Sequence, residues 1–509
     1  MKPAALPILP IPLHAVARPG TPLPLGPGTR VVAVGEAEAA GALVAAQLGA
    51  FLDQEVPVVR DDGRPGAVVL RLLAGGAGAS SPGAYRIQVD SVRALVTAVD
   101  LDGLRHGAAT LRQLVVPTPD GGRGLRPAFV VDAPRFAWRG LLLDVARSFV
   151  PVETVERVLD VLAGLRMNVL HLHLTDDQGW RLETPSRPLL TEVSGRTAVE
   201  GGRTGWYTAA DYERIQRYAA ERSITVIPEI DLPGHVGAAL HAYGELNPDG
   251  RPAPAFTGTD VSLSRLYPDL PGTVPFVRDV LTDVAAMTHG PFLHIGGDEA
   301  YAMSRAEYAR TVAAIAEQVR IVGKTAVGWQ EVTTTPLAPG TVVQLRDDRP
   351  DTSAVIDAAW QGAKVLVSPA QHVYLGRHDL DAGDLDLLGL PALPPVGPGV
   401  PSDAGAPAPA DWARSAELRY AYDFEPMEYL PGLLPGSFAG VEAVLTTEQV
   451  RTDEDLFSLL LPRLAAVAEA GWSVPPRRSW PDFAVRVARY SAMWDMAGLP
   501  WQGSAQEAR

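Results

Sequence analysis

From about residue 134 onward the chain repeats one rhythm. A short apolar run gives way to polar residues, and then to a stretch whose apolar positions recur every three or four residues. The runs Gly140-Leu-Leu-Leu-Asp, Val169-Leu-His-Leu-His-Leu, Ile224-Thr-Val-Ile-Pro and Phe292-Leu-His-Ile have the length and apolar character of buried strands. Thr325-Ala-Val-Gly, Thr341-Val-Val-Gln-Leu, Lys364-Val-Leu-Val and Gly440-Val-Glu-Ala-Val-Leu follow. Between them Val155, Val158, Leu159, Leu162 and Leu165 fall on one helical face, with Glu153 early enough to favour the positive end of the helix dipole. A second helix is predicted over Glu307 to Val322, with Val312, Ile315, Ala316 and Val319 facing the core. Eight strands alternating with helices predict an α/β fold, a (β/α)8 TIM barrel over residues 134–497, against an open doubly wound sheet as the structural rival. The Pro-, Gly- and Ala-rich stretch Leu380 to Pro409 reads as a long loop on the catalytic side, and residues 498–509 as a C-terminal tail.

Residues 1–133 read differently. Arg30-Val-Val-Ala-Val and Ala67-Val-Val-Leu-Arg-Leu-Leu are strand-like, and Tyr85-Arg-Ile-Gln-Val and Ala94-Leu-Val-Thr-Ala-Val predict an antiparallel pair joined by Asp90-Ser-Val-Arg. A helix is expected from Gly107 to Val115, and the turn-rich Pro117-Thr-Pro-Asp-Gly-Gly-Arg-Gly marks a loop near the boundary. Together these make a small α+β domain preceding the barrel, with no visible catalytic constellation.

Bulk properties narrow the partners. A net charge of -15 disfavours a nucleic-acid backbone or an anionic membrane. The absence of cysteine excludes disulfides, thiolate catalysis and Cys-based zinc sites. The first twelve residues are apolar but broken by four prolines, so they lack the uninterrupted apolar core of a signal peptide. A cytoplasmic location is the resulting expectation, with secretion the alternative for a trimmed chain. No stretch approaches the roughly 18 apolar residues of a membrane span.

Chemistry concentrates where the strands end, which is where a barrel builds its active site. The segment Pro291-Phe-Leu-His-Ile-Gly-Gly-Asp-Glu299 delivers two adjacent carboxylates, Asp298 and Glu299, at the end of a buried strand after a two-glycine turn. Such a pair can have its proton affinities pushed apart by burial and mutual repulsion. The other ends carry Asp144 and Arg147 (with Arg139 at the start of that strand), His171 to Arg181, Pro228 to His235, Gly328-Trp-Gln-Glu331, Tyr374 and Glu448. A rim of carboxylates, aromatics and arginine suits a sugar, whose face stacks on aromatic rings and whose hydroxyls pair with carboxylates and guanidinium.

In order along the chain, Asp132-Ala-Pro-Arg-Phe-Ala-Trp-Arg-Gly-Leu-Leu-Leu-Asp-Val-Ala-Arg147, His171 to Arg181, Pro228 to His235 and His294 to Glu299 resemble the family 20 glycoside hydrolases, the β-N-acetylhexosaminidases. The similarity spans about residues 80 to 490. It implies retaining, substrate-assisted hydrolysis of terminal β-linked N-acetylglucosamine or N-acetylgalactosamine, in which the 2-acetamido oxygen attacks the anomeric carbon to give an oxazolinium ion. By family position Glu299 is the acid/base and Asp298 orients the acetamido nitrogen. Arg139 would hold ring hydroxyls, and Asp176 and His235 would support the acid/base. Tyr374 would bond the acetamido oxygen and Trp329 line its pocket. Glu448 would bind a hydroxyl, and Trp412 would sit near the leaving group. The implied partner is a carbohydrate, with no metal or other cofactor and an open oligomeric state.

Three positions depart from the family pattern. Arg346 and Thr446 stand where tryptophans usually wall the acetamido pocket, and Gly376 where an aspartate usually holds a peripheral hydroxyl. Altered specificity is the expectation, for a larger N-acyl group or an anionic substituent facing Arg346. Two other readings remain open from sequence. One is a non-catalytic or weakly active sugar-binding protein on the same scaffold. The other is a metal-dependent barrel hydrolase using His171, His173, Asp176 and His235.

Overall fold

A computed structural model describes residues 6–60, 64–73, 81–260, 264–346, 352–375 and 416–501. Eight parallel strands close into a barrel: β1 (Trp138–Asp144), β2 (Val169–His173), β3 (Thr225–Glu229), β4 (Phe292–His294), β5 (Thr325–Trp329), β6 (Val342–Leu345), β7 (Lys364–Val367) and β8 (Phe438–Leu445). The circle closes where β1 pairs with β8, Trp138 opposite Gly440 and Leu143 opposite Leu445. All eight predicted strands are present, and closure excludes the open-sheet rival. The predicted helices run over Val152–Gly164 and Arg305–Ile321, the second capped by Ser304, whose side chain accepts from the backbone N–H of Glu307.

Because successive strand residues point to opposite faces, each strand divides its side chains between two environments. Leu141, Leu143, Leu170 and Leu172 pack outward in the large core under the helices. Trp138, Val169, Ile227, Val327, Val342 and Leu366 plug the floor of the barrel from inside. Leu142, Trp329 and Val444, with Tyr374 against them, form a small apolar group nearer the mouth.

A polar layer crosses the barrel between them. The Trp138 indole N–H donates to Glu442 Oε2 (2.7 Å), and the opposite carboxylate oxygen takes His171 Nδ1 (2.9 Å) and the Gln344 amide (3.1 Å). Glu229, fully buried, faces His171, His173 and His294 and accepts from the Trp329 indole (3.2 Å). Two buried carboxylates thus anchor the histidines and both indoles, so the floor of the site is held by charge-assisted bonds.

The small domain is a seven-stranded sheet in the order His14–Ala17, Ala128–Asp132, Tyr85–Val89, Arg93–Ala98, Ala67–Leu72, Arg30–Val32, Val58–Val59. Tyr85–Val89 and Arg93–Ala98 pair antiparallel, as their alternation predicts. The helix spans Leu101–Arg112 and starts six residues earlier than expected, because the Asp100 side chain caps it by accepting from Gly103 N (2.7 Å). The alanine-rich helix Ala37–Leu52 carried no polar face to betray it. This domain meets the barrel through Arg166, whose guanidinium donates to Asp132 (2.8 Å) and Thr110 (2.9 Å) and lies 4.4 Å over the Trp472 ring.

After the last helix, Trp480–Met496, the chain does not leave the surface as a tail at once. Leu499 and Trp501 are buried, with the Trp501 indole donating to Asp495 (2.8 Å). No helix among the described residues is long and apolar enough to cross a membrane.

Candidate active site

The carboxyl-terminal ends of the strands gather a dense set of charges. β4 ends at His294, and the chain then turns through Gly296 (φ +65°) and Gly297 (φ +98°) before Asp298 and Glu299. The first glycine is dictated by its surroundings as well as its torsion. A Cβ at Gly296 would lie 1.7 Å from Asp231 Oδ1. Gly296→Ala is therefore expected to cost roughly 2–5 kcal/mol from strained backbone and overpacking, read as a lower denaturant midpoint in chemical unfolding. Glu299 itself has φ +51°, as does His235, both uncommon for residues with side chains. The two therefore stand on tight turns that project them over the mouth.

His235 Nε2 lies 3.6 Å from Glu299 Oε2, and its Nδ1 3.2 Å from Asp176 Oδ1. Asp176 in turn pairs with Arg147 (2.7 Å) and His173 Nε2 (2.9 Å). Burial alone would raise the Asp176 carboxyl, but Arg147, His235 and His173 outweigh it and hold it well below the usual range. Burial likewise opposes charge on His235, yet Asp176 keeps it protonated well above the ordinary imidazole range. The His235 imidazolium, followed by Arg346, then holds Glu299 below its ordinary value against the effect of burial.

Arg346 occupies the centre. One guanidinium nitrogen is 3.1 Å from Asp298 Oδ2 and 3.1 Å from Glu299 Oε1, and the other is 3.2 Å from Glu331 Oε1. Its Cζ lies 5.7 Å from the Trp329 ring centroid. Burial and then Asp298 push Glu331 up to about 7, with Arg346 opposing. Burial and Asp298 also drive Asp231 well above the carboxylate range. Two acceptor oxygens here, Asp298 Oδ1 and Glu331 Oε2, are buried and have no hydrogen-bond partner among the described residues.

Of the residues expected at the site, Asp176, His235, Asp298, Glu299, Trp329 and Arg346 are in direct contact through this network. Tyr374 bridges to β8 at Val444 and packs against the group of Leu142, Trp329 and Val444. Thr446 and Glu448 follow the end of β8, both partly buried.

Arg139 is elsewhere. Strand alternation aims it outward with Leu141 and Leu143, and it lies at the amino-terminal end of β1. Its guanidinium donates to the carbonyls of Arg166 (2.9 Å) and Phe136 (2.6 Å) and lies 5.1 Å over the Trp472 ring. The arginine that reaches the mouth is Arg147, three residues past the end of β1 at Asp144. Inward parity singles out Asp144 on the strand and so pointed to this end. Gly376, Trp412 and the 380–409 stretch lie outside the described residues.

The four side chains proposed as metal ligands do not form one group among the described residues. His171 turns to Glu442 and Glu229, while His173 turns to Glu229 and Asp176. Smaller groups, such as Asp176, Asp231 and His235, do bring ligand atoms within 4.8 Å of one another. Of the polar layer, Glu442 lies outside every segment that the sequence marked as functional, whereas Glu229 and His294 lie inside such segments without an assigned role; all three occupy inward strand positions.

Comparison with known proteins agrees with this geometry. The model of the glycosyl hydrolase family 20 catalytic domain matches residues 136–475, and that of glycosyl hydrolase family 20 domain 2 matches residues 5–133. The β-N-acetylhexosaminidase of Cellulomonas fimi is 44% identical over 502 residues, covering 98% of this chain and 96% of that protein. The Streptomyces plicatus N-acetyl-β-hexosaminidase, solved in complex with Thio-NAglucal, superposes with a TM-score of 0.85 at 36% identity, over 99% of this chain and 98% of that one. The family 20 β-N-acetylhexosaminidase of Streptomyces coelicolor A3(2) gives the same score and identity over 99% of each chain. With both domains matched and a relative of this similarity along nearly its whole length, the chain belongs to glycosyl hydrolase family 20.

Proposed function

We infer that this chain is a retaining exo-β-N-acetylhexosaminidase that removes terminal β-linked N-acetylglucosamine or N-acetylgalactosamine by substrate-assisted catalysis. The observation that carries the assignment of roles is the pairing at the end of β4. Asp298 offers a buried carboxylate oxygen without a partner among the described residues, and the adjacent Glu299 is held by His235. An acetamido N–H is the donor that suits the first, and a glycosidic oxygen needing a proton suits the second.

In the first step the acetamido oxygen attacks the anomeric carbon and the C–O bond to the leaving group breaks. Glu299 gives its proton to the departing oxygen. Positive charge that develops on the acetamido nitrogen is stabilised by Asp298, a fixed carboxylate that is itself buried. In the second step water attacks the anomeric carbon, Glu299 takes its proton, and the acetamido oxygen is released. Two inversions give net retention. Asp176 and Arg147 fix His235, and so fix where Glu299 points. Arg147 takes the place in the hydroxyl-binding rim that Arg139 cannot reach. Glu448 stands close enough to Arg147 to share that rim electrostatically.

The test follows from where the nucleophile resides. An aryl N-acetyl-β-glucosaminide is expected to be hydrolysed with the β-anomer as first product by NMR, and the matching aryl β-glucoside to be inert. Equal turnover of both would sink substrate assistance, because the glucoside has no acetamido oxygen. Binding of the N-acetyl compound without turnover would instead favour the sugar-binding reading.

A further inference from the structure

Resting on the hexosaminidase reading, we propose that Arg346 and Glu331 set the acyl specificity of the site for N-acyl groups ending in a hydroxyl, N-glycolyl being the smallest, in preference to N-acetyl. The geometry of the pocket leads there. With the amide N–H on Asp298 Oδ1, the acyl chain is placed against the group that Arg346 forms with Trp329 and Glu331. Arg346 lies against both Asp298 and Trp329, and Glu331 lies against Arg346.

That wall is not an apolar cup. It presents guanidinium N–H donors and, beside them, Glu331 Oε2, a buried acceptor with no partner among the described residues. An acetyl methyl placed here offers neither group a hydrogen bond and leaves the buried Glu331 oxygen unanswered, which is unfavourable. A hydroxyl on the terminal carbon answers both at once, since it is a single donor with two acceptor lone pairs. Its O–H can donate to Glu331 Oε2 while its oxygen accepts from Arg346.

The alternatives fit less well. An anionic terminus would meet Asp298, Glu299 and Glu331, all within 3.2 Å of the one guanidinium that would have to attract it. A longer apolar chain gains room but leaves the same two polar groups unanswered. Discrimination by a hydroxyl is also the strong kind, because a site built around one leaves buried polar groups unpaired when it is missing.

The experiment compares three aryl β-glucosaminides that differ only in the acyl group: N-acetyl, N-glycolyl and N-propionyl. Propionyl matches glycolyl in size and replaces its hydroxyl by a methyl. With the wild-type chain, kcat/KM for glycolyl is expected to exceed both others by about tenfold or more, the scale of one buried hydrogen bond. Arg346→Trp is expected to reverse the order, favouring acetyl. Glu331→Gln, which keeps the shape and tests the site without a large change of volume, is expected to shrink the glycolyl-to-propionyl ratio severalfold. Each variant's melting temperature reports its folding, and the wild-type comparison stands without any variant. Turnover of all three with glycolyl and propionyl equal, or with acetyl preferred, overturns the proposal and leaves the hexosaminidase reading intact. Turnover of none overturns that reading and the proposal with it.

Discussion

Glu299→Gln is expected to lower kcat by about 10²–10⁴-fold, the range for a removed general acid/base. The amide keeps the shape of the side chain on its left-handed turn but cannot transfer a proton. The loss should depend on the leaving group. A nitrophenolate departs with little help, so an activated aryl glycoside should lose less than an alkyl glycoside or a disaccharide.

The same variant carries a pH signature. In the free enzyme the His235 imidazolium, then Arg346, holds Glu299 ionised below its ordinary carboxyl range. The protonated, active form of a group with a lowered pKa disappears as pH rises through that lowered value. The alkaline limb of kcat/KM should therefore begin at low pH. Substrate that excludes water and draws on Arg346 makes the proton harder to lose. The limb of kcat should then lie at higher pH than that of kcat/KM, and Glu299→Gln should abolish the limb. A profile in which both limbs coincide, or one that survives the substitution, would contradict the assignment of Glu299.

Asp298→Asn is expected to lower kcat by about 10²–10³-fold, as when a preorganised electrostatic contact to the transition state is removed. Two effects combine. The fixed negative charge opposite the developing acetamido cation is lost. In addition, Arg346 loses one of its carboxylates, and whichever way the new amide turns, Arg346 leans more on Glu299. That further stabilises ionised Glu299, so the alkaline limb of kcat/KM should move to still lower pH. A fall in kcat with KM little changed is the expected pattern, since the contact tightens as charge develops. If instead KM rose and kcat held, Asp298 would be a ground-state binding group and nothing more.

The repeat of apolar runs was enough to place all eight barrel strands, because a strand buried on both faces leaves a continuous apolar signature. The small domain was read less completely. Ala37–Leu52 has no amphipathic contrast, and short edge strands such as Val58–Val59 carry too few residues to show a period.

At the site, Asp298, Glu299, Asp176 and His235 were legible from motif and position. Arg139 was misplaced although the pattern held the answer. It shares the parity of Leu141 and Leu143, which face the helices, so it could not look into the barrel. The role of Arg346 was only half visible. Sequence showed a wall residue of unusual type, but not that its guanidinium lies across both acids. That contact joins segments 47 and 48 residues apart, after β4 and after β6, and depends on barrel closure.

The junction built around Arg166 bears on how this protein can be divided. Its guanidinium is fully buried on the loop before β2, and its partners come from two other stretches of chain: the amino-terminal strap at Pro10, and the small domain at Tyr85, Thr110 and Asp132. Trp472, from the last third of the barrel, donates to the same aspartate. Cutting the gene at residue 133 would follow the boundary in composition but leave a guanidinium and an indole without their carboxylate on a newly bared apolar face. A stand-alone barrel from this sequence is expected to be less stable than the whole chain, read as a lower melting temperature. The boundary between the two domains is one of topology, and the buried charges at their junction are satisfied only jointly.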